Sequence, residues 1–306
     1  MTKARQNTAV FWLLLAPVLF AFLMVILIPF FLGIFYSFTN WSSSARAGVE
    51  LEIIGFENFL NSLKDPTFLY SFLITSLYTI LNVIAINAVA LILALVVTSR
   101  LKLRNIYRTG FFIPNLIGGL VLGYIWQFIF NNAIPAIGES ITFFSALADP
   151  KNLILGRAGS SIIALVIVGT WQYAGYIMMI YIAAIEGVPQ SLIEAATIDG
   201  ANEFQKFTSI TVPMIAQAFT ITMFLTLVKS FKEFDVNVSL TAGGPSAMFM
   251  DTPLFGTELL ALNIYNTAFI KNMLAEGQAR AVIFFIVLVI ISVVQVNINK
   301  KKEVEM

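Results

Sequence analysis

Long uncharged apolar stretches dominate the pattern along the chain, and short segments between them hold nearly all of its charge. Runs free of Asp, Glu, Lys and Arg extend from Gln6 to Ala45, Pro66 to Ser99, Thr109 to Gly138, Ala158 to Ile185, Phe207 to Val228 and Ala281 to Asn299. About 20 mainly apolar residues in a helix cross a hydrocarbon core of roughly 30 Å. Each run therefore predicts a membrane span, at about 10–37, 71–98, 111–130, 160–184, 212–232 and 279–298. One such run would also suit a buried helix of a soluble protein, but six in one chain would not. Val10 to Phe38 is uncharged throughout and has no small-residue cleavage site. A secretory apolar region is only about 7–15 residues long, so this run reads as a span and not as a cleaved leader. The expected fold is an all-α integral membrane domain over residues 1–306 with six transmembrane helices.

Composition supports that reading: 58% of residues are hydrophobic and 11% charged, where soluble domains carry about 25% charged residues. Cys and His are both absent, which removes disulfides and the usual metal ligand, proton shuttle and triad base. The net charge of +1 offers no basic field for nucleic acid. The distribution of charge is more informative. Lys3 and Arg5 precede span 1, Arg100, Lys102, Arg104 and Arg108 fill the connection after span 2, and Lys300, Lys301 and Lys302 follow span 6. Basic loop residues mark the cytoplasmic side, so both termini are expected there. The connections from Asn40 to Tyr70 and Asn131 to Gly159, with Glu50, Glu52, Glu57, Asp65, Glu139 and Asp149, are expected outside. In the outer connection 234–278, the apolar patch from Leu259 to Ile270 is too short to cross and is expected to be a surface or partly embedded helix.

Polar side chains within spans need partners or a water-filled path. Asn82 and Asn87 in span 2 are read as helix-to-helix hydrogen bonders ahead of a polar path, and Trp171, Gln172 and Tyr173 in span 4 as either. Gly119 and Gly123 form a G-x-x-x-G pair suited to close helix packing. Lys229 and Glu233, near the outer end of span 5, have the i, i+4 spacing of an ion pair; they either face a cavity or dispose of their charge by pairing and snorkelling.

Between spans 4 and 5 lies VPQSLIEAATIDGANEFQKFTSITVPMI, Val188 to Ile215. Ser191 and Glu194 have capping-box spacing after Pro189. A short helix is expected from about Leu192 to Asp199, ended by Gly200 in the left-handed conformation and followed by a second helix from about Asn202 to Pro213. Such a compact peg suits docking. Its spacing, E-A-A-x3-G-x9-I-x-V-P from Glu194, resembles the EAA loop of binding-protein-dependent ABC importer permeases, with Val212 where the family usually has Leu. IDGAN at Ile198–Asn202, FIPN at Phe112–Asn115, LTAGGP at Leu240–Pro245, GFENFLNSLKDPTF at Gly55–Phe68 and FTNW at Phe38–Trp41 extend the resemblance over nearly the whole chain. LTAGGP and FTNW resemble the MalF-like half of a carbohydrate-importer permease pair.

That resemblance implies an ABC type I importer permease fold in a prokaryotic cytoplasmic membrane. It implies as partners a sister MalG-like permease, two ABC ATPase subunits, an extracytoplasmic solute-binding protein, a saccharide and the surrounding membrane lipid. ATP and Mg would be held by the ATPase subunits: this chain lacks a Gly-Lys dipeptide and with it a P-loop, so it is expected to be a non-catalytic subunit without a cofactor of its own. By the same resemblance Glu194, Ala195, Ala196, Asp199 and Gly200 form the ATPase-coupling helix. Gln172, Tyr173, Tyr176, Thr226, Lys229, Ser230 and Glu233 stand at solute-lining positions. The rival readings are an ABC permease for a non-sugar solute such as an amino acid, phosphate or glycerophosphodiester, an ATP-independent secondary transporter, and a membrane enzyme. The LTAGGP element weighs against the first; the absence of evident inverted repeats and of an acid, base and metal constellation weighs against the others.

The natural lack of Cys allows a direct test of the topology. A membrane-impermeant thiol reagent added outside intact cells is expected to label Arg46→Cys and Ser246→Cys and to leave Arg104→Cys and Glu303→Cys unlabelled. The opposite pattern would reverse the orientation.

Overall fold

The computed structural model describes residues 3–42, 48, 50–99, 102–140 and 153–300, with side chains from residue 10 onward. Arg100, Asp149, Lys301 and Lys302 of the charge pattern lie outside the described residues, as do the side chains of Lys3 and Arg5. Five helices are long and apolar enough to cross a membrane, and a sixth candidate is a pair of helices meeting at a 68° bend.

Chain contacts divide the protein into two compact units, residues 1–65 with 264–284 and residues 66–263 with 285–306. The first contains α1, helical from Lys3 to Tyr36 with a π turn at Leu23–Leu27, and α2 (Glu57–Lys64). No side chain in the apolar window of α1 is buried, as befits a helix whose apolar surface faces lipid or another chain. FTNW ends α1: Asn58 Nδ2 donates to the carbonyls of Ser37 and Thr39, both at 2.9 Å, and Trp41 stacks on Tyr36 at 4.5 Å. In the same unit Arg280, only 1% exposed, is held between Asp65 and Glu276. A buried guanidinium needs such carboxylate partners.

The second unit is built on α3 (Pro66–Thr98) packed along α6 (Ala158–Glu186), with α9 (Ala216–Phe231) against both. One apolar cluster centres on Ile86, Ala90, Ala94, Ile177, Met178 and Tyr181, and a second on Tyr78, Leu122, Leu165, Val168, Val236 and Leu240. Ala90, Ala94 and Gly175 let the backbones approach closely, the usual device where lipid supplies no hydrophobic drive between helices.

The span expected at 111–130 is two elements. The chain forms α4 (Arg104–Phe112), a 3-10 turn at Ile113–Leu116 and, after Gly118 in extended conformation, α5 (Gly119–Ser140). Pro114 has no N–H for an α-helical bond, so the apolar run breaks there and the continuous helix lies about ten residues further on. At the start of the span expected at 212–232, where a second short helix was expected to run into Pro213, α8 (Glu203–Met214) and α9 meet at the 68° bend, with Pro213 two residues before the non-helical Ile215. The connection 234–278 carries α10 (Asp235–Thr241), an antiparallel hairpin of β1 (Ser246–Phe249) and β2 (Thr252–Phe255), and α11 (Leu260–Ile270). Of the patch expected to be a surface or partly embedded helix, Leu259, Leu260, Leu262 and Ala268 are buried and Phe269 and Ile270 exposed, so it is partly embedded in the protein; α12 (Leu274–Lys300) follows.

Close packing at Gly175 is testable. A Cβ there would lie 1.7 Å from the Phe111 carbonyl oxygen, whereas one at Gly110 meets nothing within 4 Å. Gly175→Ala is expected to lower stability by about 1–3 kcal/mol or more, read as a reduced melting temperature in detergent, while Gly110→Ala leaves it unchanged or slightly raised.

Candidate functional site

Two regions of the second unit concentrate chemistry. The first is the C-terminal half of α9. Thr222, Thr226 and Ser230 recur every fourth residue on one face, which turns toward α3 and α6. Thr222 Oγ1 donates to the Tyr181 hydroxyl at 2.7 Å, and Tyr181 in turn donates to Asn87 Oδ1 at 2.8 Å. Asn87 Nδ2 donates to Thr226 Oγ1 at 2.9 Å, and Asn82 Nδ2 to Ser230 Oγ at 2.8 Å. Asn82 and Asn87 are thus helix-to-helix bonders, as favoured from sequence. Thr226 and Ser230, both 0% exposed, belong to this lock and do not line a cavity. Gln172 donates to the Ile117 carbonyl at 3.0 Å and so ties α6 to the break before α5.

Lys229, on a different face of α9, and Glu233, in the link just past its end, line a cavity of about 440 Å³ together with Tyr173, Phe224, Lys232 and Asp235. Lys229 Nζ donates to Glu233 Oε2 at 2.9 Å and sits 5.3 Å from the centre of the Tyr173 ring, against which Tyr176 packs at 5.2 Å. Glu233, 6% exposed, also accepts from the Val236 backbone N–H at 3.2 Å, at the start of α10. The result is an aromatic wall with an ion pair and two further charges on one concave surface. Its aromatic faces can stack on C–H surfaces, and its ammonium and carboxylate groups can bond hydroxyls. Of the residues expected to line a path, Tyr173, Lys229 and Glu233 share this cavity, Tyr176 backs its wall, and Gln172, Thr226 and Ser230 hold the helices that form it.

The second region is the segment between α6 and α9. Here α7 runs from Gln190 to Ile198 and buries no side chain. Its N-cap is Pro189, without a side-chain cap, so Ser191 stands inside the helix and cannot close the capping box expected with Glu194. The reciprocal box instead opens α8, where Asn202 Oδ1 accepts from the Gln205 N–H at 2.9 Å and Gln205 Oε1 from the Asn202 N–H at 2.8 Å. Gly200 has φ +82°, as its place at the helix end requires. Glu194, Ala195 and Asp199 are exposed, and Ala196 lines a cavity with Asp199 and Gly200. Ile198 and Phe204, 87% and 72% exposed, present apolar surface beside the turn.

LTAGGP proves to be a frame for the hairpin. Thr257 donates from Oγ1 to the Gly244 carbonyl at 2.6 Å and from its N–H to that of Gly243 at 2.7 Å. Asn237 Nδ2 reaches the Thr257 carbonyl at 2.7 Å. Asn237 and Thr257 carried no sequence signal, since each is an ordinary polar residue until its partner is in place.

A set of apolar spans, two of which line a polar cavity and are joined by an exposed helical peg, fits a membrane transport subunit. Residues 86–303 match the model of the binding-protein-dependent transport system inner membrane component, and the chain belongs to that family. It is 44% identical over 305 residues to the probable starch degradation products transport system permease protein AmyD of Thermoanaerobacterium thermosulfurigenes, covering 99% of this chain and 98% of that protein. The multiple sugar-binding transport system permease protein MsmF of Streptococcus mutans is 29% identical, with 90% of each chain covered. A chain of the crystal structure of a bacterial ABC transporter that imports the acidic polysaccharide alginate superposes with a TM-score of 0.79 at 17% identity, over 98% of both chains. The fold is that of an ABC type I importer permease.

Reversal of either charge of the Lys229–Glu233 pair sets two like charges beside each other in a largely buried site. Lys229→Glu and Glu233→Lys are each expected to reduce solute uptake by the reconstituted complex, and the double exchange to recover more than either alone. Wild-type uptake in all three variants would place the solute site elsewhere.

Proposed function

We propose that this chain is the transmembrane permease subunit of an ATP-driven sugar importer, forming half of the translocation path. The observation that carries the reading is the near-full-length 44% identity to a permease named for transport of starch degradation products. MsmF and the alginate importer, both named for carbohydrates, point the same way. With both termini cytoplasmic, α7 faces the cytoplasm, and the cavity lined by Tyr173, Lys229 and Glu233 belongs to the solute path.

In this reading a sister MalG-like permease completes the path, and an extracytoplasmic binding protein delivers the saccharide. A second structure of the alginate importer, in complex with an oligosaccharide-bound periplasmic protein, supports the latter role. Two ATPase subunits bind ATP and Mg and supply the energy. Residues Glu194 to Gly200 act as a coupling helix. The exposed α7 has Ala195 and Ala196 for a slim profile, and Ile198 and Phe204 offer apolar surface to an ATPase cleft. Closure of the ATPase dimer pulls α7, and α8 carries the displacement through the bend at Ile215 into α9.

Gly200→Val forces a Cβ into a left-handed backbone, at a cost of roughly 1–2 kcal/mol, and Glu194→Lys reverses an exposed charge on the peg. Both variants are expected to insert into the membrane yet to lower sugar uptake and binding-protein-stimulated ATP hydrolysis in proteoliposomes. Normal values of both quantities in both variants would remove the coupling role.

A further inference from the structure

Lys206 is 9% exposed, although it lies in a segment whose neighbours Glu203, Phe204 and Gln205 are all exposed. A lysine is seldom this deeply covered unless its ammonium has specific partners. Lys206 Nζ donates to Thr197 Oγ1 on α7 at 3.3 Å and to Glu203 Oε1 on α8 at 2.6 Å. Thr197 Oγ1 spends its own proton on the Ile193 carbonyl at 2.8 Å, which leaves its lone pairs for the ammonium. Glu203 is almost fully in water, so its ion pair is screened and the Thr197 contact is the one that spans the turn.

The mechanical setting gives that contact its importance. The backbone joins α7 to α8 through Gly200 and Ala201, whose N–H groups bond back to Thr197 and Ala196 at 3.1 and 2.9 Å. Beyond them α7 buries no side chain, and a cavity of about 370 Å³ walled by Ala196, Gly200, Lys206, Ser209 and Ile210 lies beside the turn. Among the described residues, the Lys206–Thr197 bond is the side-chain hydrogen bond that crosses from α7 to α8. A lever with a glycine hinge at one end and a 68° bend at the other transmits displacement only when the hinge is braced.

We propose that Lys206 is a positioning residue of coupling: by holding Thr197 it braces the Gly200 turn, so that motion of α7 is delivered to α9 and not absorbed by bending at the glycine. The proposal rests on the reading of α7 as the ATPase-docking peg. The strategy of a charged side chain bridging two helices over a void differs from packing, because the long lysine stem keeps its reach while the ammonium fixes the end point.

The test uses the full complex in proteoliposomes, with ATP hydrolysed per sugar imported as the readout and co-purification of all subunits as the check on assembly. Lys206→Met and Thr197→Val are expected to raise that ratio several-fold, and Lys206→Arg, which keeps a donor at the same reach, to restore most of the coupling. In the same backgrounds nitroxide labels at Ser191→Cys and Ser209→Cys are expected to give a broad distance distribution for the Met and Val variants and a narrow one for wild type and Arg. Should the Met variant fail to assemble, the near-isosteric Val variant supplies the reading. An unchanged ratio in an assembled variant overturns the proposal whatever the distances do, and so does a raised ratio with an unbroadened distribution. Ile198→Asp, at the exposed tip of α7, separates the two levels of inference. If it uncouples while the Lys206 and Thr197 variants do not, the peg stands and the brace is wrong; if none of the three alters coupling, the docking role falls as well.

Discussion

In hydrocarbon, a hydroxyl or amide without a partner costs several kcal/mol, because no water is available to replace the missing bond. The stripe of Thr222, Thr226 and Ser230 along α9 therefore has to be answered by neighbouring helices, and Tyr181, Asn87 and Asn82 answer it from α6 and α3. This lock sets the rotation of α9 about its axis. Successive helical residues are turned by about 100°, so once Thr226 and Ser230 are committed to α3, Lys229 is turned away from them. Its ammonium then meets Tyr173 and Glu233 at the cavity. The polar contacts that lock the helices thus decide which side chains face the cavity.

The breaks in the apolar runs have an equally definite consequence. Pro114 ends one helix before α5 begins, and α4 swings Arg108 and Arg104 onto Glu186 at the end of α6. Pro213 and Ile215 turn α8 away from α9, leaving α7 and α8 standing clear of the apolar core. A straight continuation would have given a longer span and no separate α7–α8 segment. At the other end of α9, Gly243 and Gly244 expose their carbonyls to Thr257, and the hairpin is fixed to α10 through Asn237. At such interruptions, backbone groups released from helices find side-chain partners.

Ion pairs follow the same economy of placement. Arg280 is buried with two carboxylates, Lys229 is mostly covered with one, and Lys206 is covered with a carboxylate that is itself in water. Removing one partner from a buried pair leaves a charge that the surroundings cannot solvate, so these three sites are unequally tolerant of change. Arg280 is the most demanding of them by burial alone.

Hydropathy and charge determined by themselves that the chain is a multi-span helical membrane protein, because the length of an apolar run against the thickness of a bilayer is a one-dimensional quantity. The EAA and LTAGGP spacings identified the family for a similar reason: each is a local backbone device, a glycine-ended peg or a glycine turn, encoded within a few residues. The i, i+4 pairing of Lys229 with Glu233 was legible on the same ground. Tertiary structure alone decided which face of α9 met α3, and so moved Thr226 and Ser230 out of the cavity while leaving Lys229 in it. It also decided that the capping box lay at Asn202 and Gln205 and not at Ser191 and Glu194, since a helix that starts two residues earlier, at Gln190, turns Ser191 from a cap into an interior position. The partners of Lys206, Arg280 and Asn237 were beyond reach of sequence because each bond joins elements whose approach depends on packing, and neither composition nor periodicity carries the angle at which two helices meet.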